Sequence, residues 1–212
     1  MNDSNYFQAR FAPDPRRDVL WRALYRYYFS KLISETDCVL DMGAGYGHFI
    51  NQVRARRRIA VDDWPGTADH LQEGIEFRAV NAANLSFLET GSVNFAFASN
   101  LFEHMTQDEF ACVLRHLKRI LAAGGTLNIL QPNFYYSYRR YFDDYTHRTI
   151  YTHTSLCDFL EANGYRVVEC RPRFLPLTVK SRLPVSPLLI RLYLASPWKP
   201  LSGQMLIRAR CV

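Results

Sequence analysis

No stretch of this 212-residue chain approaches the roughly 20 consecutive apolar residues that a membrane span requires. The most apolar segment, Pro187 to Trp198, is shorter and is interrupted by Arg191, so no integral membrane segment is expected. The opening residues, Met1-Asn2-Asp3-Ser4-Asn5, lack the basic start and apolar core of a secretion signal, and the expected location is the cytoplasm. Cysteine is sparse: Cys38, Cys112, Cys157, Cys170 and Cys211 are odd in number, scattered, and contain no C-x-x-C pair. Such spacing supports neither a disulfide framework nor a cysteine zinc site, and five free, buried thiols are expected. Internal repeats and low-complexity linkers are also missing.

What is present reads as one domain over residues 1–212, with a 48% hydrophobic composition sufficient for a full core. The net charge is +6, and all but four of the 26 basic residues are arginine. Arginine's planar fork suits phosphate and carboxylate, so an anionic small-molecule acceptor is expected. The densest basic run, Arg54-Ala55-Arg56-Arg57-Arg58, reads as a solvated connection into a strand.

Residues 18–33 read as an amphipathic helix, with Leu20 or Trp21, Leu24, Tyr25, Tyr28 and Leu32 at helical spacing, within an N-terminal helical segment over about 1–35. Short apolar runs follow at 38–40, 58–61, 75–80 and 94–98, with a helix through Phe49, Ile50 and Val53 expected after the first. Thr106 and Glu109 have capping-box spacing before Phe110, Leu114, Leu117 and Leu121. Gly124-Gly125 reads as the stop of that helix, and Thr126 to Leu130 as a fifth strand. A helix over 154–162, strands at 165–170 and 203–210, and a lid-like, proline-rich insertion over about 172–202 complete the chain. Alternating strands and helices predict an α/β fold with a doubly wound, mostly parallel seven-stranded sheet and helices on both faces. Asp41, Asp62, Asn81, Asn100 and Asn133 fall at strand ends, the rim on which such sheets bind ligands.

The first strand runs into Asp41-Met42-Gly43-Ala44-Gly45-Tyr46-Gly47. A dinucleotide fingerprint needs glycine where His48 stands, and no Gly-Lys-Ser/Thr phosphate loop is present. Val39 to Gly47 instead resembles motif I of the class I S-adenosylmethionine-dependent methyltransferases, whose sheet is Rossmann-like. Further segments match in order: Ala60-Val61-Asp62, Asn81-Ala82-Ala83-Asn84-Leu85, Ser99 to Met105, and Leu121 to Leu127. The resemblance implies S-adenosylmethionine as cofactor. It implies that Gly43, Ala44, Gly45 and Gly47 form the cofactor loop and that Asp41 takes the amino end. Asp62, or the adjacent Asp63, takes the ribose hydroxyls. Asn81 and Ala82, where the family more often has aspartate first, lie at the adenine edge, and Asn100 and Leu101 lie beside the cofactor.

Methyl transfer to a hydroxyl benefits from a base that removes the proton. Thr146-His147-Arg148 with Tyr151-Thr152 resembles a segment of methyltransferases from sugar pathways. His147 is the first candidate base, with Asp144 or Asp143 orienting it, and His104 is the second. No metal is expected, because the fourth strand ends in Ser99-Asn100 rather than aspartate; a variant using Asp143, Asp144 and a histidine is the metal-dependent alternative. The leading reading is O-methylation of a sugar or polyol. N-methylation of a small amine and a non-catalytic partner subunit are the alternatives, and a homodimer is compatible with each. The Asn/Asp-Pro-Pro-Tyr/Phe signature of base methylation is absent after the fourth strand, and no nucleic-acid partner is expected.

Overall fold

The computed structural model describes residues 14–176 and 185–212. Seven strands form one sheet: β1 (Cys38–Met42), β2 (Arg57–Asp62), β3 (Ile75–Ala79), β4 (Val93–Ser99), β5 (Leu121–Pro132), β6 (Tyr165–Pro176) and β7 (Ser202–Cys211). Their order is β3-β2-β1-β4-β5-β7-β6. All neighbours are parallel except at β7, which runs antiparallel to both β5 and β6. The chain winds outward from β1 to β3, then returns to β4 on the other side of β1. This reversal opens a crevice at the carboxyl ends of β1 and β4.

The described helices are α1 (Pro15–Tyr27), α2 (Gln107–Ile120), the single turn α3 (Phe134–Ser137), α4 (His153–Ala162) and α5 (Pro187–Ala195). Successive strand residues point to opposite faces, and the two cores divide accordingly. Leu40, Val61, Ala96 and Leu127 meet Phe110, Leu114 and Leu117 of α2 and Leu156 and Leu160 of α4. Val39, Ala60, Phe95 and Phe97 meet Ala23 and Leu24 of α1, Phe29, Phe49 and Ile190 of α5. The second core is aromatic, with ring centroids 4.1 Å apart for Phe49–Phe97 and 5.2 Å for Phe29–Phe97. Each such buried ring contributes roughly 1.5–3 kcal/mol. Both faces of the sheet are thus covered by helices, as the sequence predicts.

Local boundaries differ in four places. The helix expected through Phe49 and Val53 is only a 3-10 turn, Ile50–Gln52, because Val53 is already extended (φ −70°, ψ 133°). Asn51 instead stitches the turn to the next loop, donating to the His70 carbonyl and accepting from the Gln72 amide. The second difference concerns α2, which ends at Ile120, before the glycines. Leu121 already pairs with Val93, and the register then jumps to Phe95–Thr126. Gly124 (φ +77°) and Gly125 form this bulge, and a Cβ on Gly125 would stand 3.0 Å from the Val93 carbonyl. Third, β6 extends to Pro176, so strand occupies the first part of the region read as an insertion. α5, in its later part, packs against α1 through Ile190, Tyr193 and Leu194. Finally, α1 starts at Pro15, with Asp14 as its N-cap, and ends at Tyr27, short of the expected residue 33, with a separate 3-10 turn over Phe29–Lys31; the preceding part of the expected helical segment lies outside the described residues. Among the described residues no helix is long and apolar enough to cross a membrane. All five cysteines are free, but only Cys38 is buried as expected; Cys112 and Cys157 are partly exposed, and Cys170 and Cys211, on the edge strand β6 and at the end of β7, are exposed.

Candidate active site

The loop after β1 is shaped by three left-handed glycines, Gly43 (φ +69°), Gly45 (φ +51°) and Gly47 (φ +66°), a conformation costly for residues with a Cβ. It is tied to β2 rather than left open. The Gly43 and Ala44 amides donate to the Val61 carbonyl at 2.8 and 3.2 Å. The Gly45 amide donates to Asp62 Oδ2 at 2.7 Å, and the Trp64 amide donates to Asp62 Oδ1 at 2.9 Å. From the other side comes Leu101, just past β4: a Cβ on Gly43 would lie 3.0 Å from its Cδ1. Residues 43, 62 and 101 therefore converge on one cleft.

Asp41 and Asp62 are both buried. Burial pushes the Asp41 carboxyl well above the usual range, the nearby Asp62 charge adds to this, and the Ile50 amide opposes it. Burial raises Asp62 to about 6, against the pull of the Gly45 and Trp64 amides. Asp63 is exposed. Asn81 is exposed at the end of β3, its Oδ1 accepting from the Ala83 amide at 2.9 Å, while Ala82 is buried. Asn100 has φ +50°, tolerated best by asparagine among non-glycine residues. Its amide donates to the Leu130 carbonyl at 2.8 Å and its Oδ1 accepts from Gln204 Nε2 at 3.0 Å, joining β4 to β5 and β7.

Beyond Leu101 the 3-10 turn Phe102–His104 meets the segment 141–149. The Arg148 and Thr149 amides donate to the Glu103 carbonyl at 2.8 and 3.1 Å, and the Tyr141 hydroxyl donates to the Thr149 carbonyl at 2.6 Å. These bonds bring the two sequence-predicted histidines together, with ring centroids 4.9 Å apart. His147 also lies against Tyr141, at 4.4 Å. Asp144 is coupled to His104 through Thr146. The Thr146 hydroxyl lies 2.6 Å from Asp144 Oδ1 and 2.9 Å from His104 Nδ1. A hydroxyl has one proton to give. Donated to the carboxylate, it leaves the oxygen to accept from His104 Nδ1–H, and the lone pair then resides on Nε2. Asp143 is exposed and paired with Arg140.

Glu103 is a residue that the sequence reading missed. It is fully buried, and neither carboxyl oxygen has a hydrogen-bond partner. Burial raises it to about 8, with the Asp144 charge adding to the shift. The available signal was an acid immediately before His104, but nothing in the spacing says that this acid points inward.

The methyltransferase-domain family matches residues 14–170, well over half of the chain, and the chain belongs to it. It is an enzyme of the methyltransferase class; the class I resemblance stands, and with it the cofactor, S-adenosylmethionine. No curated protein sequence matches the chain. Among solved structures it is similar to a SAM-dependent methyltransferase from Archaeoglobus fulgidus, at 20% identity and TM-score 0.70, covering 97% of this chain and 98% of that one. It is also similar to a Haloferax volcanii structure of the Trm112 methyltransferase activator with its partner, at 16% identity and TM-score 0.69, covering 99% and 93%. A third is the geranyl diphosphate C-methyltransferase of Streptomyces coelicolor, solved with Mg2+, geranyl diphosphate and S-adenosylhomocysteine, at 15% identity and TM-score 0.65, covering 90% and 77%. At these identities the likeness concerns the fold.

Proposed function

We propose that this methyltransferase transfers the methyl group of S-adenosylmethionine to a hydroxyl of a small polar acceptor, a sugar or polyol, free or carrying a phosphate, nucleotide or lipid group. The observation that carries this reading is the Asp144–Thr146–His104 chain beside His147. A neutral amine attacks with its own lone pair, whereas a hydroxyl benefits from a base that removes its proton as attack proceeds. His104, with its Nε2 lone pair set by the relay, moves ahead of His147 as the proton acceptor, and Asp144 acts through Thr146.

The cofactor side fits its ligand. Left-handed glycines let the backbone pass close to a ligand, and Leu101 lies against Gly43. In this reading Asp62 accepts from the ribose hydroxyls, with Asp63 beside it, and Asp41 faces the cationic amino end. Asn81 and Ala82 lie along the adenine, and Asn100 lines the cleft. The bound cofactor supplies a methyl group on a sulfonium. The protein holds the acceptor oxygen in line with that methyl and excludes water. As the acceptor oxygen took that methyl group, its hydroxyl proton would pass to an imidazole nitrogen.

The surface near the acceptor segment supports a sugar-like, anionic acceptor. Tyr135, Tyr138, Phe142 and Tyr145 are exposed. Arg173 lies 4.3 Å over the Tyr136 ring, and Arg139 and Arg140 are close in sequence. The free cysteines favour a cytoplasmic location. Calorimetric titration with S-adenosylmethionine, followed by mass-spectrometric screening of phosphosugars, nucleotide sugars and amines for methylated product, tests the proposal. Methylated hydroxyl products whose formation collapses in His104→Ala support it. Products confined to amines, or turnover indifferent to both His104→Ala and His147→Ala, overturn it.

A further inference from the structure

We infer that Glu103, His104 and His147 form a site for one divalent transition-metal ion at the acceptor side of the cleft. One donor atom from each residue can be chosen so that all three lie within 4.8 Å of one another, the spacing expected around a common ion. Glu103 supplies the independent observation. Buried carboxyl oxygens are nearly always hydrogen-bonded, yet both of these lack a partner inside a fully buried side chain. A cation is the group whose binding would compensate a carboxylate in that position.

The surrounding bonds prepare the site. The Glu103 carbonyl is fixed by the Arg148 and Thr149 amides, which hold the turn bearing Glu103 and His104 against the segment bearing His147. A metal-bound histidine usually donates its second ring N–H to a carboxylate or carbonyl. His104 reaches Asp144 by such a contact with one hydroxyl interposed, which leaves Nε2 as the donor atom. Two imidazoles and one carboxylate suit Zn2+, Mn2+ or Co2+ better than Ca2+ or Mg2+, which prefer all-oxygen shells. Three protein ligands leave positions open for an outside oxygen.

The ion's role, unlike its binding, rests on the O-methylation reading. An acceptor hydroxyl bound at the open position would lose its proton to solvent more readily, and its alkoxide oxygen would then take the methyl from sulfur. A bound ion would occupy the His104 Nε2 lone pair, so the ion and the imidazole base are alternative ways of activating the same hydroxyl, and comparing the stripped with the loaded enzyme distinguishes them. From the sequence no metal is expected because the fourth strand ends in Ser99-Asn100, and the metal-dependent alternative draws on Asp143, Asp144 and a histidine. In the structure Asp143 pairs with Arg140 and Asp144 with Thr146; the cluster uses Glu103 instead.

The test is direct ion binding to the full chain stripped with EDTA. Mn2+ is titrated by loss of its free electron-paramagnetic signal, and Co2+ by its visible absorption. The expected result is one ion per chain, with nitrogen-type Co2+ bands. Affinity should fall in Glu103→Gln and His147→Ala by more than the roughly 10–100-fold typical of outer-shell changes. S-adenosylmethionine affinity and melting temperature, measured on the same samples, establish that the variants are folded. No saturable binding to the wild-type chain, or equal affinity in folded Glu103→Gln and His147→Ala, overturns the site. If the stripped enzyme binds no ion yet methylates hydroxyls through His104, the metal site fails and the function stands. Ion binding without any hydroxyl product gives the reverse.

Discussion

Thr146 Oγ1 lies 2.9 Å from His104 Nδ1, although 42 residues separate the two in the chain. The same oxygen is 2.6 Å from Asp144, so a carboxylate and an imidazole on different segments are linked through one hydroxyl. In the proposed mechanism Thr146 is a positioning residue whose effect is transmitted through His104.

Thr146→Val should therefore lower kcat by roughly ten-fold, part of the 10²–10⁴ that proton transfer contributes, with little change in S-adenosylmethionine affinity. The pH–rate profile should shift because His104 loses its fixed tautomer. Thr146→Ser should restore both. Steady-state kinetics across pH on the three proteins checks this; a slow Thr146→Val enzyme with an unmoved profile would make the threonine merely structural.

If Asp62 takes the ribose hydroxyls, as proposed, cofactor affinity depends on pH. The Asp62 carboxyl stands near 6 because burial disfavours the charged form. The ribose hydroxyls need the ionised carboxylate as acceptor, so affinity is full above pH 6 and falls as pH drops through 6. The limiting slope for one proton is about ten-fold per pH unit. Calorimetry with S-adenosylhomocysteine between pH 5 and pH 8, repeated on Asp62→Asn, should show the slope reduced in the variant.

The adjacent acids should separate cleanly. Asp62 is buried and accepts two loop amides, whereas Asp63 is exposed. Asp62→Ala should abolish measurable cofactor binding, both by removing the acceptor and by freeing the Gly45 loop. Asp63→Ala should stay within a few-fold of wild type. Equal losses in the two variants would assign the ribose contact to both.

Stability should respond to the cap of α2. Thr106 and Glu109 form a reciprocal capping box, and removing such a cap costs about 1 kcal/mol. For a chain of this size that is a drop of roughly 2–4 °C in melting temperature. Phe97→Ala, in the aromatic core, should cost about 3–5 kcal/mol. Thermal melts of both variants give the comparison.

Much of the fold was legible because it rests on local rules. Apolar runs bounded by turn residues marked the strands, and Thr106 and Glu109 marked the start of α2. The glycine spacing after Asp41 excluded two other nucleotide loops. The helix expected at Phe49 failed because its three buried residues, Phe49, Ile50 and Val53, suit a 3-10 turn followed by an extended residue as well as a helix; only the chain's early return at Val53 decides between them. The glycines at 124 and 125 signalled a helix end, yet their structural use is a bulge. That depends on the Val93 carbonyl of a neighbouring strand, which no local pattern contains.

At the site the division is the same. The sequence by itself determined the chemistry on offer: a glycine loop, acids at strand ends, and histidines at 104 and 147. The tertiary structure alone decided that Thr146 couples Asp144 to His104 and that Glu103 points inward beside both histidines. Those relationships depend on hydrogen bonds and burial between segments about 40 residues apart. Such contacts arise from how the sheet and the 141–149 segment pack, and periodicity along the chain carries no record of them.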